Sequence, residues 1–176
     1  MIDLKYLKSC INDLPLDVYI LFALVFLIVS LFLYWFRRNK IKKDVSRLFL
    51  FEYCLLIFAS TVFYRPLKDG VNYDLRPLWS YQSIYYGNYM LIYENLFNFL
   101  AFTPIGFALF FSFNVRNLLI SVFGGLLFSL LIESFQFFFR RGFAEFDDII
   151  HNTLGCIIGY LIAVSLCRIK KCSLSE

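Results

Sequence analysis

The sequence predicts an all-α polytopic transmembrane helix bundle with about five spans. Of its 176 residues, 60% are hydrophobic and 21% are aromatic, whereas a typical soluble domain is only about half apolar. The apolar residues form five runs close to the length of about 20 residues that crosses a bilayer. These runs cover residues 17–36, 48–64, 91–113, 118–139 and 148–167.

The first two predicted spans lie within residues 17–64, and the sequence supports the first more strongly than the second. The first ends in Tyr34-Trp-Phe-Arg-Arg38 without a small-residue cleavage site, so we expect an anchor and not a removed signal peptide. The second is slightly short and contains Glu52, which makes it the weakest of the five. The net charge of +4 is modest and shows no pattern typical of nucleic-acid binding.

The distribution of Lys and Arg predicts the orientation, because cytoplasmic loops are enriched in both. The basic segment 37–47 lies between the first two spans and falls on the same side as the C-terminal tail, residues 168–176. We therefore expect a multi-pass plasma-membrane protein with the tail in the cytoplasm. The N-terminal segment 1–16 and the loop 65–90 would then lie outside, with a core of three spans at 91–167.

The extracellular loop between spans two and three is rich in amphipathic aromatic side chains, which favour the membrane interface. Pro66 and Pro77 interrupt it. We expect it to lie over the functional site as a short surface helix or lid. Its aromatic residues include Tyr73, Trp79, Tyr81, Tyr85, Tyr86 and Tyr89.

Polar side chains recur near one end of the last three spans. Burying an ionisable group in a bilayer costs several kcal/mol, so such residues are rare and usually functional. In the predicted orientation, the third span starts, the fourth ends and the fifth starts on the outer side. The candidate ligand-binding residues are Glu94, Asn95, Asn98, Glu133, Gln136, Arg140, Arg141, Asp147, Asp148 and Asn152.

Helical spacing places these candidates on shared faces, because residues three, four and seven apart lie on one side of a helix. Glu94 and Asn98 are four residues apart, as are Asp148 and Asn152. In the fourth span, polar residues follow Glu133 at three and seven positions. The pattern predicts one polar cleft between the three spans. Glu133 and Asp148 are the candidates for catalysis if the cleft performs a reaction.

Small residues predict where the helices approach each other closely. Gly155 and Gly159 form a GxxxG step, which allows close packing of helix backbones. We expect Pro104 and Gly106 to bend the third span. A bend there would open space beside Asn98.

Other interpretations of the polar residues remain open. The amides alone would fit an interhelical hydrogen-bond lock, which does not account for several buried carboxylates. His151 is the only histidine and follows Asp147 by four residues, so an Asp–His pair is an alternative. A metal site built from Glu94, Glu133, Asp148 and His151 has suitable ligand types but no recognised spacing. We expect no metal and no cofactor. The five cysteines form no CxxC pair, so no disulfide framework is expected.

These motifs resemble the VanZ-like family of bacterial membrane proteins. The matching segments are 95–107, 133–136, Arg141 and 147–159, and the resemblance covers about residues 90–165 and, more loosely, the second span. The combination Glu-x-x-Gln, then Asp-Asp-x-x-x-Asn-x-x-Gly-x-x-x-Gly, is specific because both its order and its position on the spans match.

One part of the pattern departs from the family. Glu145 occupies the turn before Asp147 where another polar acid or a serine is expected, and the turn contains Arg141-Gly142 in that order. Which of Arg140 and Arg141 faces the site is therefore open. The resemblance implies a link to low-level resistance to teicoplanin, a lipid-tailed glycopeptide antibiotic, and it implies no particular reaction.

Two classes of function follow from the residues and the resemblance. The first is a protein that binds or alters an envelope amphiphile, a membrane lipid or lipid-linked envelope molecule, with a lipoglycopeptide as a further candidate. The alternative is an intramembrane enzyme that acts on a lipid-linked cell-envelope precursor through paired carboxylates. An accessory subunit of a larger envelope complex is a third option.

Overall fold

The computed structural model describes residues 41–113 and 117–173, together with residues 20, 23, 24 and 27. The N-terminal segment 1–16 therefore lies outside the described residues, as does nearly all of the predicted first span at 17–36.

Between residues 41 and 173, the described chain contains five α-helices, one π-helical turn and two very short strands. The helices are α1 (Ile41–Phe58), α2 (Trp79–Tyr85), α3 (Met90–Phe113), α4 (Leu118–Phe139) and α5 (Phe146–Ser173), and the strands are β1 (Tyr73–Asp74) and β2 (Ala144–Glu145).

The all-α class is confirmed, and four of the described helical segments are long and apolar enough to cross a membrane. The helices α3, α4 and α5 begin within two residues of the predicted spans. The second predicted span differs more, because α1 already begins at Ile41 within the basic segment that was expected to be a loop. The strands were not predicted.

Contacts with α3 account for the early start of α1. The Ser46 hydroxyl donates to the Ala108 carbonyl at 3.1 Å and lies 3.0 Å from the Ser112 hydroxyl. The Arg47 Nε donates to the Ser112 carbonyl at 3.0 Å. These polar contacts hold the start of α1 against the end of α3, so residues before the apolar run join the helix.

Glycines allow α3 and α5 to pack backbone to backbone. A Cβ added at Gly106 would lie 1.9 Å from the carbonyl oxygen of Cys156, and one added at Gly159 would lie 1.9 Å from that of Thr103. A Cβ added at Gly155 would lie 2.1 Å from the carbonyl oxygen of Phe99, also in α3. Any side chain at these positions would separate the two helices.

The buried apolar core lies where α3 meets α1, α4 and α5. Its members are Val62, Phe102, Ile105, Ile132 and Cys156. Pro104 lies inside α3 within this region, where it removes one backbone donor from the helix. The bend predicted at this residue stays a prediction.

The segments before α2 and before α5 join at one end of the bundle, which we call the loop end. The strands β1 and β2 pair in parallel, with Tyr73 opposite Ala144 and Asp74 opposite Glu145. The Ala144 amide also donates to the Asn72 carbonyl at 3.0 Å. The loop 65–90 is thereby fixed against the turn between α4 and α5. The short helix expected in this loop is present as α2.

Candidate functional site

A cavity of about 400 Å³ lies between α1, α3, α4 and α5 toward the loop end. Its volume is within the range of about 300–1,000 Å³ that is usual for small-molecule sites. Five predicted candidates line it, and two side-chain hydroxyls and one arginine join them. The polar lining consists of Ser60, Thr61, Arg65, Asn98, Glu133, Gln136, Asp148 and Asn152.

The cavity also has an apolar side that adjoins the surface of the bundle. Ile57, Phe97 and Leu100 contribute to its lining. Leu100 is 50% exposed, although it lies in the middle of a helix long enough to span the membrane. The cavity therefore combines a polar interior with an apolar flank near lipid.

Asn98 and Asp148 are brought together from α3 and α5. The Asn98 Nδ2 donates to Asp148 Oδ1 at 2.6 Å. This hydrogen bond fixes the direction of both side chains at the cavity wall. The Asp148 carboxylate also lines the cavity, together with Arg65.

Gln136 and Asn152 are buried, with exposed fractions of 5% and 4%. The Gln136 Nε2 donates to the Thr61 carbonyl at 2.9 Å, and the Asn152 Nδ2 donates to the Ser129 hydroxyl at 2.8 Å. Among the described residues, neither amide oxygen has a hydrogen-bond partner. Such groups are uncommon in folded proteins and require an explanation.

The Thr61 carbonyl belongs to a π-helical turn, Ala59–Phe63, that continues α1. Turns of this kind are rare and frequently occur at functional sites. Here the turn carries a backbone acceptor that holds Gln136 from the neighbouring helix α4. The sequence offered no signal for it beyond the polar pair Ser60-Thr61 inside an apolar run.

Glu133 and Glu145 are connected at the end of the cavity nearest the loops. The Glu145 amide donates to Glu133 Oε2 at 2.9 Å, and the Trp79 indole donates to Glu145 Oε2 at 3.0 Å. Burial and, to a smaller extent, the nearby Asp148 and Glu94 carboxylates raise the pKa of Glu145 to about 8, against the lowering effect of the Trp79 hydrogen bond. The Glu145 carboxyl, which lies next to the cavity, is therefore largely protonated at neutral pH.

Asp147 is fully buried and engages α2 outside the cavity lining. Its Oδ1 accepts from the Leu78 amide at 2.5 Å, and its Oδ2 accepts from the Ser80 amide at 2.9 Å and the Ser80 hydroxyl at 2.6 Å. Leu78 precedes α2 with a positive φ of 61° and supplies no cap of its own. Asp147 therefore caps α2 from a distant part of the chain.

The two arginines predicted for the site lie outside the cavity lining, whereas Arg65 belongs to it. Arg140 ends α4 in the left-handed conformation and is exposed. The Arg141 guanidinium donates to the carbonyl oxygens of Phe63 and Arg65. Gly142 follows with a φ of +85°, and a Cβ there would lie 3.0 Å from the Arg65 side chain. The turn thus holds the segment that carries Arg65 in place.

The remaining candidates lie beside the cavity. Asn95 is buried, and its Nδ2 donates to the Ser80 hydroxyl at 3.1 Å. Glu94 lies near enough to Glu145 to raise its pKa. The His151 Nε2 is 2.8 Å from the Tyr81 hydroxyl, so the histidine contacts α2. These residues connect the cavity walls to the loop that covers the start of α5.

The family model described as VanZ/LLP1 matches residues 16–168, which is most of the chain. No curated protein and no solved structure matches it.

Proposed function

The chain belongs to the VanZ-like family, and from its cavity we propose that this membrane protein binds the polar head of an envelope amphiphile. The observation that carries the proposal is the cavity itself. It contains two carboxylates, three amides and an arginine inside a helix bundle, and its other side is apolar and reaches a lipid-facing leucine. An amphiphile has both kinds of surface.

A purely structural role for the polar residues explains less. The contacts of Asn98, Gln136 and Asn152 do link helices, and each such bond contributes about 0.6–2 kcal/mol. Hydrogen bonds between amides are sufficient to link helices and do not require carboxylates. Both Glu133 and Asp148 nevertheless line the cavity. Their burial costs more than the links return. A ligand-binding role accounts for the two carboxylates in the cavity, whereas a purely structural role does not.

We place the cavity in the outer leaflet, with the C-terminus in the cytoplasm of a bacterium. Support comes from Lys42, Lys43 and Arg47 in the first turns of α1, at the opposite end of this helix from the loop end. Lys and Arg favour the cytoplasmic side. An outer-leaflet cavity would encounter membrane lipids and lipid-linked envelope molecules. Lipid-tailed glycopeptides such as teicoplanin also enter from that side, and we propose that occupancy of the cavity contributes to tolerance of them.

The alternative is an intramembrane enzyme that acts on a lipid-linked precursor. The presence of both Glu133 and Asp148 in one cavity favours it, because two carboxyls can serve as general acid and base. Proton transfer would be abolished by Glu133→Gln or Asp148→Asn. A binding site should retain part of its function with these isosteric changes, since the amides still form hydrogen bonds.

A susceptibility comparison tests the proposed role. The full chain is expressed in a glycopeptide-sensitive Gram-positive host, and inhibitory concentrations of teicoplanin and vancomycin are measured. We expect a several-fold rise for teicoplanin, a smaller change for vancomycin, and a loss of the effect with Asn152→Ala. Asp69→Asn, at an exposed position in the loop, is the matched surface control.

Membrane abundance of every variant is measured in the same cells. Partial loss with Glu133→Gln and Asp148→Asn supports binding, and complete loss in both supports the enzyme. If the abundant wild-type protein leaves both inhibitory concentrations unchanged, a role in glycopeptide tolerance is rejected.

A further inference from the structure

We infer that the head group bound in the cavity carries a protonated amine, an inference that rests on the proposed function. Three observations point to this chemistry. Two buried amide oxygens lack donors in the described part of the chain, each of the three amides already gives one N–H to a protein acceptor, and the lining contains two carboxyls and one guanidinium.

Gln136 supplies the clearest unused acceptor. Its Nε2 donates to the Thr61 carbonyl at 2.9 Å, and a backbone carbonyl can only accept. The amide therefore cannot be turned around without losing this bond. Its Oε1 is buried and has no partner among the described residues. An oxygen in this position requires a donor from a molecule in the cavity.

The other two amides also use one N–H each within the protein. The Asn98 Nδ2 is directed to Asp148 Oδ1 at 2.6 Å, and the Asn152 Nδ2 to the Ser129 hydroxyl at 2.8 Å. Asn152 Oδ1 is buried without a partner in the described part of the chain. One N–H of each amide is used in this way, and the oxygens of Gln136 and Asn152 are left for a ligand that donates hydrogen bonds.

Charge distinguishes an amine from a neutral donor. The lining described by the structure contains the carboxyls of Glu133 and Asp148 and the guanidinium of Arg65. With all three ionised, the lining carries one net negative charge inside the helix bundle. Uncompensated buried charge is strongly unfavourable. An ammonium group cancels it and brings up to three N–H donors, which match the open acceptors.

Other head groups fit the same walls less well. A sugar without an amine would donate to Gln136 and Asn152 but would leave the charge. A phosphate alone would add negative charge beside Glu133 and Asp148. An amine next to a phosphate is compatible, because Arg65 lies in the same lining. The ammonium is therefore the feature that discriminates, whether it belongs to an ethanolamine lipid or to an amino sugar.

Paired probes test the inference on the full chain purified in a neutral detergent. Thermal unfolding is followed by tryptophan fluorescence with short-chain phosphatidylethanolamine and with its N-acetylated derivative, which has the same phosphate and tails. An alkyl glucosaminide and the corresponding N-acetylglucosaminide form the second pair. We expect the amine member of at least one pair to bind about tenfold more tightly, the size of one charge-assisted hydrogen bond.

Variants connect that preference to the cavity. Asp148→Asn and Glu133→Gln should each reduce the discrimination between amine and N-acetyl probes, whereas Asp69→Asn should keep it. Equal binding within both pairs, or a preference that survives in both cavity variants, overturns the inference and leaves the proposed function standing. If neither these probes nor phosphatidylglycerol raises the unfolding temperature, both the inference and the proposed function fail.

Discussion

Replacing Gly159 with alanine should destabilise the protein by about 3 kcal/mol, at the upper end of the cost of overpacking. The added Cβ would lie 1.9 Å from the Thr103 carbonyl oxygen and 2.8 Å from the Phe107 amide nitrogen. Both atoms belong to the backbone of α3, so no side chain can rotate away. The helices α3 and α5 would have to separate, which would also disturb the cavity walls that they carry.

The expected loss of stability is opposite in direction to the usual effect of replacing a helical glycine with alanine. A glycine replaced by alanine in an unobstructed helix gains about 0.5–1 kcal/mol, because the unfolded chain loses freedom. Gly70→Ala is the control, since nothing lies within 4 Å of a Cβ at that position. Reversible unfolding in detergent measures both variants. A Gly159→Ala protein as stable as the wild type would contradict the close packing of α3 and α5.

Replacing Asp147 with alanine should cost about 3 kcal/mol and release α2 from the start of α5. The carboxylate is fully buried and accepts three hydrogen bonds from Leu78 and Ser80. Its removal would leave two backbone N–H groups at the start of α2 without their partner, at about 1–3 kcal/mol for each unsatisfied group. Unfolding in detergent measures the loss of stability, and limited proteolysis of residues 70–89 measures the release of α2.

Two further variants separate this cap from a general effect of charge. Asp147→Asn keeps the shape but offers only one acceptor oxygen, so its loss of stability should be intermediate. Asp69→Asn removes the same charge at an exposed loop position and should change neither readout. If Asp147→Ala leaves the loop as resistant to protease as the wild type, the assigned role of Asp147 is incorrect.

The sequence predicted the last three spans and grouped several polar residues on shared helix faces, because both depend on local periodicity. Apolar runs of membrane-spanning length gave the positions of α3, α4 and α5. Spacings of three and four residues grouped Asn98 with Glu94 and Glu133 with Gln136 on shared faces. The structure then places Asn98, Glu133 and Gln136 in one cavity lining.

Periodicity could not separate the neighbouring residues Asp147 and Asp148. Successive residues of a helix point about 100° apart, since a turn contains 3.6 residues, so the two carboxylates face different surroundings. Asp148 reaches the cavity, whereas Asp147 caps α2. The contact between Asp147 and Ser80 joins residues that are 67 positions apart in the sequence. No local sequence pattern encodes a contact over that distance.

Local sequence patterns also could not identify Arg65 as the arginine that lines the cavity. Arg65 follows the second span and reads as an ordinary interfacial cation, whereas Arg140 and Arg141 end a span that already contains polar residues. The left-handed conformation of Arg140 and the turn at Gly142 redirect the chain there. The Arg141 side chain is then held by the backbone carbonyls before and at Arg65. Tertiary packing decides which arginine lines the cavity.

Native mass spectrometry of the full chain, purified from bacterial membranes in a neutral detergent, tests the central claim most directly. The wild-type protein should retain one polar lipid per chain through activation that strips other lipids. The double variant Glu133→Gln with Asp148→Asn should lose it, and Asp69→Asn should keep it. Equal retention by wild type and the double variant would contradict the claim that these cavity carboxyls bind an amphiphile.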